Sequence, residues 1–199
     1  MMGRVFSNMS MSLDGFIEDA DGSVEQLFEW YTAGPVVTET ANADVDFKQS
    51  AEDAEHMTNV MAGIGALVTG RALFDLTNGW GGSHPIGVPV VVVTHNVPTA
   101  EEWPHPDAPF TFVTDGIEAA IAKAKEIAGD RDVVIASTTI AQQALDAGLL
   151  DVITVDLVPY LLGSGKPYFA NLTTKPVRLE NPTIRRGNRA THLTYEVLY

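Results

Sequence analysis

A run of four valines, Val90–Val93, followed by Thr94, constrains the fold of this chain more than any other feature. The run lacks the apolar–polar alternation of a strand with one solvated face, so it predicts a strand buried on both faces. Such strands belong to parallel sheets that are covered by helices on both sides. Residues 117–127 then carry apolar side chains at helical spacing, which favours an α/β arrangement.

The rest of the chain repeats this alternation. Further strands are predicted at 4–11, 66–69, 110–113, 133–136 and 152–158, and helices at 51–62, 72–76 and 138–147. Residues 24–31 are predicted to form a short amphipathic turn, and residues 32–49, which show no period, a long surface loop. The tail at 177–198 is predicted to form two strands around a turn at 186–188. A chain of 199 residues suits one domain, so we expect a single α/β domain over 1–199 whose sheet has a mixed edge.

The helix at 51–62 carries its own start and stop signals. Ser50 followed three residues later by Asp53 is an acidic variant of the capping box, and it predicts the first turn. Gly63 and Gly65 then predict the end of the helix.

The charge of the chain is unevenly distributed. The net charge is −14, and residues 1–115 hold only Arg4, Lys48 and Arg71 as cations, whereas charges balance in the remainder. A surface this acidic repels phosphate backbones, so we expect no nucleic-acid partner. An anionic ligand is expected to bind only where the chain supplies a local cation or backbone amides.

Several classes of site are excluded by residue usage. The absence of cysteine removes disulfides, thiolate metal sites and cysteine nucleophiles. The five histidines show no metal-ligand spacing among themselves, so no metal site is predicted. No apolar run approaches the ~18 residues of a membrane span, and the N-terminal segment lacks the continuous apolar stretch of a signal peptide. We therefore expect a cytoplasmic protein with no membrane partner.

Three segments place small polar residues just after a predicted buried strand. These segments are Thr69-Gly70-Arg71, Thr94-His95-Asn96 and Ala136-Ser137-Thr138-Thr139. In open α/β sheets, ligands bind at the carboxyl ends of the strands. The first and third segments also open predicted helices, whose backbone N–H groups favour an anion. The sequence therefore predicts a ligand site at this edge of the sheet.

Arg71 is the only Lys or Arg between Lys48 and Lys123. A guanidinium at a strand-to-helix turn suits bidentate pairing with a phosphate. An ion pair with Asp75, four residues further along the helix, is the alternative, and the sequence leaves both open.

Four stretches of the chain resemble the dihydrofolate-reductase-like superfamily, and in particular the reductase domain of bifunctional riboflavin-biosynthesis proteins and its stand-alone bacterial relatives. They are Met9-Ser-Met-Ser-Leu-Asp-Gly-Phe-Ile17, Leu67-Val-Thr-Gly-Arg71, Ala144-Leu-Asp-Ala-Gly-Leu-Leu-Asp151 and Val158-Pro-Tyr-Leu-Leu-Gly163. The resemblance covers about residues 3–198. It implies a mixed, mostly parallel sheet flanked by helices with an antiparallel C-terminal hairpin, usually as a homodimer that binds NADPH and reduces a small heteroaromatic molecule.

The resemblance also implies roles for individual residues. Gly70 and Arg71 match the turn that holds the 2′-phosphate of NADPH, and Thr69, which precedes them, is assigned to cofactor binding as well. Residues Thr94, His95 and Asn96 match the strand end beside the adenosine. The pyrophosphate-binding turn corresponds to Ala136, Ser137, Thr138, Thr139 and Ile140. Ser10 and Ile17 match positions that flank the nicotinamide, and Leu162 and Gly163 match the substrate side.

The chain departs from the family pattern at two places. The family has two glycines where this chain has Ala136 and Ser137, whose side chains either crowd the pyrophosphate or, at Ser137, replace the lost contact with a hydroxyl. Ile135 stands where the riboflavin enzymes have an acidic residue, and Asn8 where they have a lysine. Both losses argue against the riboflavin-pathway substrate, whose phosphate and amines need charged partners.

Hydride transfer needs the cofactor and the acceptor held face to face, with a proton donor nearby. Asp14 is the candidate catalytic donor at the substrate side, and Glu29 is a second; an ordinary Asp-Gly turn and a solvated carboxylate are the alternatives. Trp30, Tyr31 and Trp80 are candidates for stacking on a planar substrate or for burial. We therefore predict an NADPH-dependent reductase, with a non-catalytic ligand-binding or dimeric scaffold of the same fold as the alternative.

Overall fold

The computed structural model describes residues 3–199 and has an alternation of strands and helices along most of its length. The strands are β1 Val5–Ser12, β2 Phe16–Asp19, β3 Val36–Thr38, β4 Phe47–Gln49, β5 Ile64–Gly70, β6 Val90–Val93, β7 Phe110–Val113, β8 Asp132–Ile135, β9 Val152–Val158, β10 Gly165–Pro167, β11 Arg178–Leu179, β12 Thr183–Arg186 and β13 Thr191–Leu198. The α-helices are α1 Glu25–Phe28, α2 Ala51–Gly63, α3 Arg71–Leu76, α4 Ile117–Ala128 and α5 Thr138–Asp146, and 3₁₀ turns lie at Glu29–Thr32 and Asn78–Gly82.

One central sheet organises these elements, in the order β11-β13-β9-β1-β8-β5-β6-β7, with β12 also paired to β13. Neighbouring strands from β9 to β7 run parallel. At the other edge β13 runs antiparallel to β9, and β11 and β12 run antiparallel to β13. The predicted mixed, mostly parallel sheet with an antiparallel C-terminal hairpin is confirmed.

The two faces of the sheet carry separate apolar layers. Helices α4 and α5 cover one face, where Ala124 and Ala141 pack against Val68 and Ile135. On the other face, Leu67 and Val92 lie in a second layer with aromatic residues from α3 and the loop before β7. Because β5 and most of β6 are buried, the valine run of β6 is explained by its central place between these layers.

The boundary signals of α2 are confirmed. The Ser50 hydroxyl accepts a hydrogen bond from the Asp53 N–H at 3.1 Å, and α2 ends at Gly63. Gly65 has a different role, since it lies inside β5. A Cβ atom there would lie 2.8 Å from Ala128, so glycine allows α4 to pack closely on the sheet.

The region 32–49 was predicted to be a long surface loop, and this prediction was wrong. Residues Val36–Thr38 and Phe47–Gln49 pair as the antiparallel strands β3 and β4. These strands are only three residues long, too short for a periodic pattern to show in the sequence. Within residues 3–199, no helix is both long and apolar enough to cross a bilayer.

Candidate functional site

Three strand-to-loop turns meet at one edge of the sheet. The register pairs Val68 of β5 with Ile135 of β8, and Gly70 of β5 with Val93 of β6. All three strands run in the same direction, so the residues that follow them lie side by side. We call the surface formed by Gly70, Arg71, Asn96 and Ser137 the strand-end cleft.

Gly70 and the start of α5 approach each other closely. A Cβ atom on Gly70 would lie 3.3 Å from both the Ser137 hydroxyl oxygen and Cγ1 of Ile140. Glycine at this point therefore keeps the surface between β5 and α5 clear of a side chain. An extended ligand lying across the strand ends needs that clearance.

Arg71 connects the first turn to the second. Its Nε donates to Asp75 at 2.7 Å, and its Nη1 donates to the Asn96 carbonyl at 3.0 Å. The ion pair with Asp75 that the sequence left as an alternative is thus formed. The Thr94 hydroxyl, which donates to the same Asn96 carbonyl at 2.8 Å, fixes the turn that receives Arg71. The guanidinium is therefore held at the cleft rather than free in solvent.

Ser137 is the N-cap residue of α5, and its hydroxyl caps no backbone N–H of that helix. The first N–H groups of an α-helix have no acceptor within the helix. The hydroxyl and the first turn of α5 therefore present donors toward the space beside Gly70. Ala136 differs, because it packs into the apolar layer with Phe6 and Leu67, on the sheet face opposite α5. Its methyl group consequently leaves the start of α5 clear.

The predicted cofactor residues differ in their exposure. Thr69 is fully buried, and Thr94, Thr138 and Ile140 are buried as well. His95, Asn96 and Thr139 are exposed. A ligand at this edge would therefore meet the backbone of the buried residues and the side chains of the exposed ones.

The two residues that match the nicotinamide positions lie on β1 and β2. Ser10 is buried and accepts a hydrogen bond from the Trp30 indole at 3.0 Å. Ile17 is half-buried against the apolar layer under α4 and α5. Trp30 is 1% exposed, so its ring has no face open for stacking on a substrate, and the burial alternative describes it.

Asp14 joins the loop after β1 to the loop after β9. Its carboxylate accepts from the Ser12 hydroxyl at 2.6 Å, from Leu162 N–H at 3.1 Å and from Gly163 N–H at 2.7 Å. These bonds, that from Ser12 first, hold the pKa of Asp14 below its usual value. The three donors therefore favour the ionised carboxylate and tie the two loops together, and the role of Asp14 as a proton donor stays a prediction.

The Glu29 carboxylate also accepts hydrogen bonds from other side chains of the protein. It accepts from Arg189 at 2.7 Å and from the Tyr160 hydroxyl at 2.9 Å, and the Arg189 contact is the main reason that its pKa is lowered.

The other two aromatic candidates, Tyr31 and Trp80, lie in different surroundings. Burial raises the pKa of Tyr31, and the negative charge of Asp156 raises it further. Trp80 lies in a 3₁₀ turn and packs edge-on against His84, at a ring separation of 4.4 Å.

A second constellation, which the sequence did not predict, lies beneath α2. His192 is buried between two carboxylates: its Nδ1 is 2.7 Å from Asp156 and its Nε2 is 3.0 Å from Asp53. His56 stacks on His192 with ring centroids 3.9 Å apart. We call these four residues the α2 cluster. No local signal announces it, because its members lie on α2, β9 and β13.

The chemistry of the α2 cluster follows from its burial and its charges. Burial opposes a charge on His192 and lowers its pKa, but the hydrogen bonds that its ring donates to the Asp156 and Asp53 carboxylates, together with their negative charges, outweigh burial and raise the pKa. Burial and the neighbouring His192 lower the pKa of His56. Asn8, which stands where the riboflavin enzymes have a lysine, donates to Asp156 at 3.1 Å and so belongs to the surroundings of this cluster.

The order of the sheet and the placement of the helices define the class of fold. The chain is similar to dihydrofolate reductase from Enterococcus faecalis in complex with NADP(H), with a TM-score of 0.61 at 14% identity, over 100% of this chain and 99% of that one. A Shewanella sp. PV-4 protein provisionally assigned to riboflavin biosynthesis is similar at a TM-score of 0.71 and 21% identity, over 98% and 99% of the two chains. The fold is therefore that of the dihydrofolate-reductase-like proteins.

Comparison of the sequence with a protein-family model identifies the family within this class of fold. Residues 4–193 match the model of the RibD C-terminal domain, so the chain belongs to the RibD C-terminal domain family, the reductase domain of riboflavin biosynthesis. The uncharacterized protein YwjB of Bacillus subtilis strain 168 is 22% identical over 187 residues, which cover 94% of each chain. The predicted membership of this branch is confirmed.

Proposed function

We propose that this protein is an NADPH-dependent reductase that transfers a hydride to a small heteroaromatic substrate. The observation that carries the proposal is the junction of β5, α3 and α5, where bare Gly70 faces the unused hydroxyl of Ser137 and Arg71 is held at the same edge. This arrangement offers uncompensated N–H and O–H donors and one guanidinium to a dinucleotide. Family membership supports the same cofactor class.

The residues of the cleft fit NADPH, although Ala136 and Ser137 stand at the positions of the two family glycines. Where the family has glycines, Ala136 turns its methyl group away from α5, and Ser137 offers a hydroxyl in place of close backbone approach. Arg71 would pair with the 2′-phosphate after exchanging its contact with Asp75, which is exposed and screened by solvent. NADPH supplies the hydride when bound; the chain binds, orients and shields it.

The substrate side of the proposal rests on the loops that Asp14 ties together. Because Asp14 and Glu29 accept hydrogen bonds from protein donors, we propose that they position the loops after β1 and β9 and that the proton that follows hydride transfer comes from solvent. Asn8 and Ile135 lack charge, which supports a substrate other than the phosphorylated pyrimidine of the riboflavin pathway.

Thermal unfolding with and without cofactor tests the proposal. NADPH at 100 times its dissociation constant should stabilise the protein by about 2.7 kcal/mol, and NADH should do so only at much higher concentration. If neither nucleotide shifts the melting temperature at millimolar concentration, the reductase proposal fails. Loss of NADPH absorbance with a panel of oxidised heteroaromatic compounds then measures turnover.

A non-catalytic ligand-binding or scaffold function is the second candidate. The observation in its favour is that Asp14 and Glu29, the two predicted proton donors, both accept hydrogen bonds from other groups of the protein. NADPH binding without oxidation by any compound of the panel would favour this candidate, and turnover with one compound would eliminate it.

We further propose that the chain acts as one domain and as a homodimer in the cytoplasm. Support for self-association comes from Leu13 and Leu161, which are 64% and 71% exposed on the loops after β1 and β9. Exposed leucines on adjoining loops are typical of contact surfaces. Light scattering of the eluted protein should give twice the chain mass, and Leu161→Glu should reduce it to one chain mass.

A further inference from the structure

The α2 cluster brings together three side chains of the kind that bind transition metals. One ring nitrogen each of His56 and His192 and one carboxylate oxygen of Asp156 lie within 4.8 Å of one another. We propose that these three residues form a binding site for a divalent transition cation of the zinc class. Two imidazoles and one carboxylate suit such borderline cations, whereas Mg²⁺ and Ca²⁺ prefer oxygen ligands alone.

The fold fixes two of the three ligands relative to each other. His192 of β13 and Asp156 of β9 are directly opposite in the antiparallel register, and Nδ1 of the histidine lies 2.7 Å from the carboxylate. A cation bound between them would take one lone pair from each and would release the proton that Nδ1 and the carboxylate share to solvent. Because cross-strand pairing sets this spacing, these two ligands are positioned before any ion binds.

The surroundings of His192 match those of metal-binding histidines. Its second nitrogen, Nε2, lies 3.0 Å from Asp53. Metal-ligating histidines almost always donate their other N–H to a carboxylate or carbonyl, which orients the ring. Asp53 is itself fixed by the Ser50 hydroxyl at 2.7 Å and by the Asn188 N–H at 3.1 Å. Asp156 is likewise oriented by the amide of Asn8 at 3.1 Å.

His56 is the adjustable ligand. It lies three residues after Asp53 on α2, which places both side chains on the helix face toward the sheet. Within residues 3–199, no hydrogen bond to its ring nitrogens is found, and it is only half-buried. Tetrahedral zinc needs donor atoms about 3.3 Å apart. The His56 ring would therefore move inward from within 4.8 Å, and the His192–Asp156 pair would open slightly from 2.7 Å.

A cavity gives the proposed ion an open side. The three ligands line a pocket of about 240 Å³ beside Asn8 and Thr154, whose other end is bordered by Arg4 and Asp132 at the amino ends of β1 and β8. Three protein ligands and one open position are typical of zinc sites that bind water or another small ligand. The pocket adjoins the predicted nicotinamide side, since Asp156 lies opposite Ser10 in the sheet and Asn8 lines the pocket. Titration with the metal alone, without nucleotide, therefore tests this site separately from the proposed reductase function.

Calorimetric titration of the full chain, stripped with a chelator and desalted, tests the proposal with Zn²⁺ alone. We expect one Zn²⁺ per chain, with at least a 10-fold loss of affinity in His56→Ala and a loss of about 10–100-fold in Asp53→Asn. His105→Ala is the matched control, since His105 lies in the loop before β7, and it should leave the affinity unchanged. Mg²⁺ should neither bind nor compete.

Co²⁺ provides a spectroscopic readout of the same site. The wild-type chain should develop the visible bands of a low-symmetry Co²⁺ centre, and His56→Ala should lose them while keeping its far-ultraviolet circular dichroism. The proposal is overturned if the wild-type chain shows no saturable Zn²⁺ binding, if His56→Ala binds as tightly as the wild type, or if His105→Ala loses as much affinity as His56→Ala. Equal competition by Mg²⁺ would also overturn it, because it would indicate a carboxylate surface site.

Discussion

The strand-end cleft and the α2 cluster differ in how their polar groups are paired, in a chain whose net charge is −14. In the cleft as described by residues 3–199, the Ser137 hydroxyl caps no N–H of α5, the first N–H groups of that helix have no acceptor within it, and the Arg71 guanidinium is held by exposed contacts. In the α2 cluster, each ring nitrogen of His192 faces a carboxylate, and His192, Asp53 and Asp156 are buried. Unsatisfied donors at a surface are available to an anionic ligand, whereas paired polar groups in a core stabilise the fold and, in the α2 cluster, also offer the atoms of the proposed cation site.

The largest expected effect comes from breaking the α2 cluster. Asp53→Ala leaves the buried His192 with one carboxylate and removes the acceptor for Asn188, so it should lower the free energy of unfolding by about 3–5 kcal/mol. Urea denaturation at pH 7 measures it. Glu52→Ala, the exposed neighbour on α2, should change stability by less than about 0.5 kcal/mol. Equal effects of the two substitutions would contradict the assigned role of Asp53.

The next effect concerns the cleft. Arg71→Ala should weaken NADPH binding by about 10–100-fold, since a charge-assisted hydrogen bond contributes ~1.5–3 kcal/mol, and it should leave NADH binding nearly unchanged. Fluorescence titration with both nucleotides measures the ratio. Arg178→Ala, at the far edge of the sheet on β11, is the control. Equal loss for NADPH and NADH would remove the 2′-phosphate role of Arg71.

Two serines at N-cap positions, Ser50 before α2 and Ser137 before α5, extend the comparison between the α2 cluster and the strand-end cleft. Ser50 caps α2 by accepting from Asp53 N–H, whereas the Ser137 hydroxyl caps nothing in α5. Ser50→Ala should therefore cost about 1 kcal/mol of stability, and Ser137→Ala less than about 0.5 kcal/mol. In contrast, Ser137→Ala should weaken NADPH binding and Ser50→Ala should not. Thermal unfolding and nucleotide titration of both variants give the four values, and a reversed order in either measurement would refute the distinction.

The smallest effect is the titration of Asp14. Its pKa is lowered chiefly by the Ser12 hydroxyl, so the stability that it contributes is present above its unfolded pKa and is lost as the pH falls through its folded value. A carbon-detected NMR titration should place the folded pKa below 3.8, the usual value of the group. A pKa above 3.8 would contradict the hydrogen bonds assigned to the Asp14 carboxylate.

The sequence by itself determined the framework of the cleft. Buried apolar runs followed by small polar residues located the ends of β5, β6 and β8 to within one or two residues. The periodicity at 117–127 located α4 in the same way. These features are local, since a few consecutive residues carry each of them, and parallel pairing then brings strand ends together without further information.

Only the tertiary structure decided the contacts between distant residues. Trp30 is buried on Ser10, Asp14 ties two loops, and the α2 cluster joins Asp53 to Asp156 and His192. Spacing along the chain could not predict that His192 contacts carboxylates 36 and 139 residues away. Strand register and helix docking set such contacts, because they depend on the packing of whole faces rather than on any short pattern.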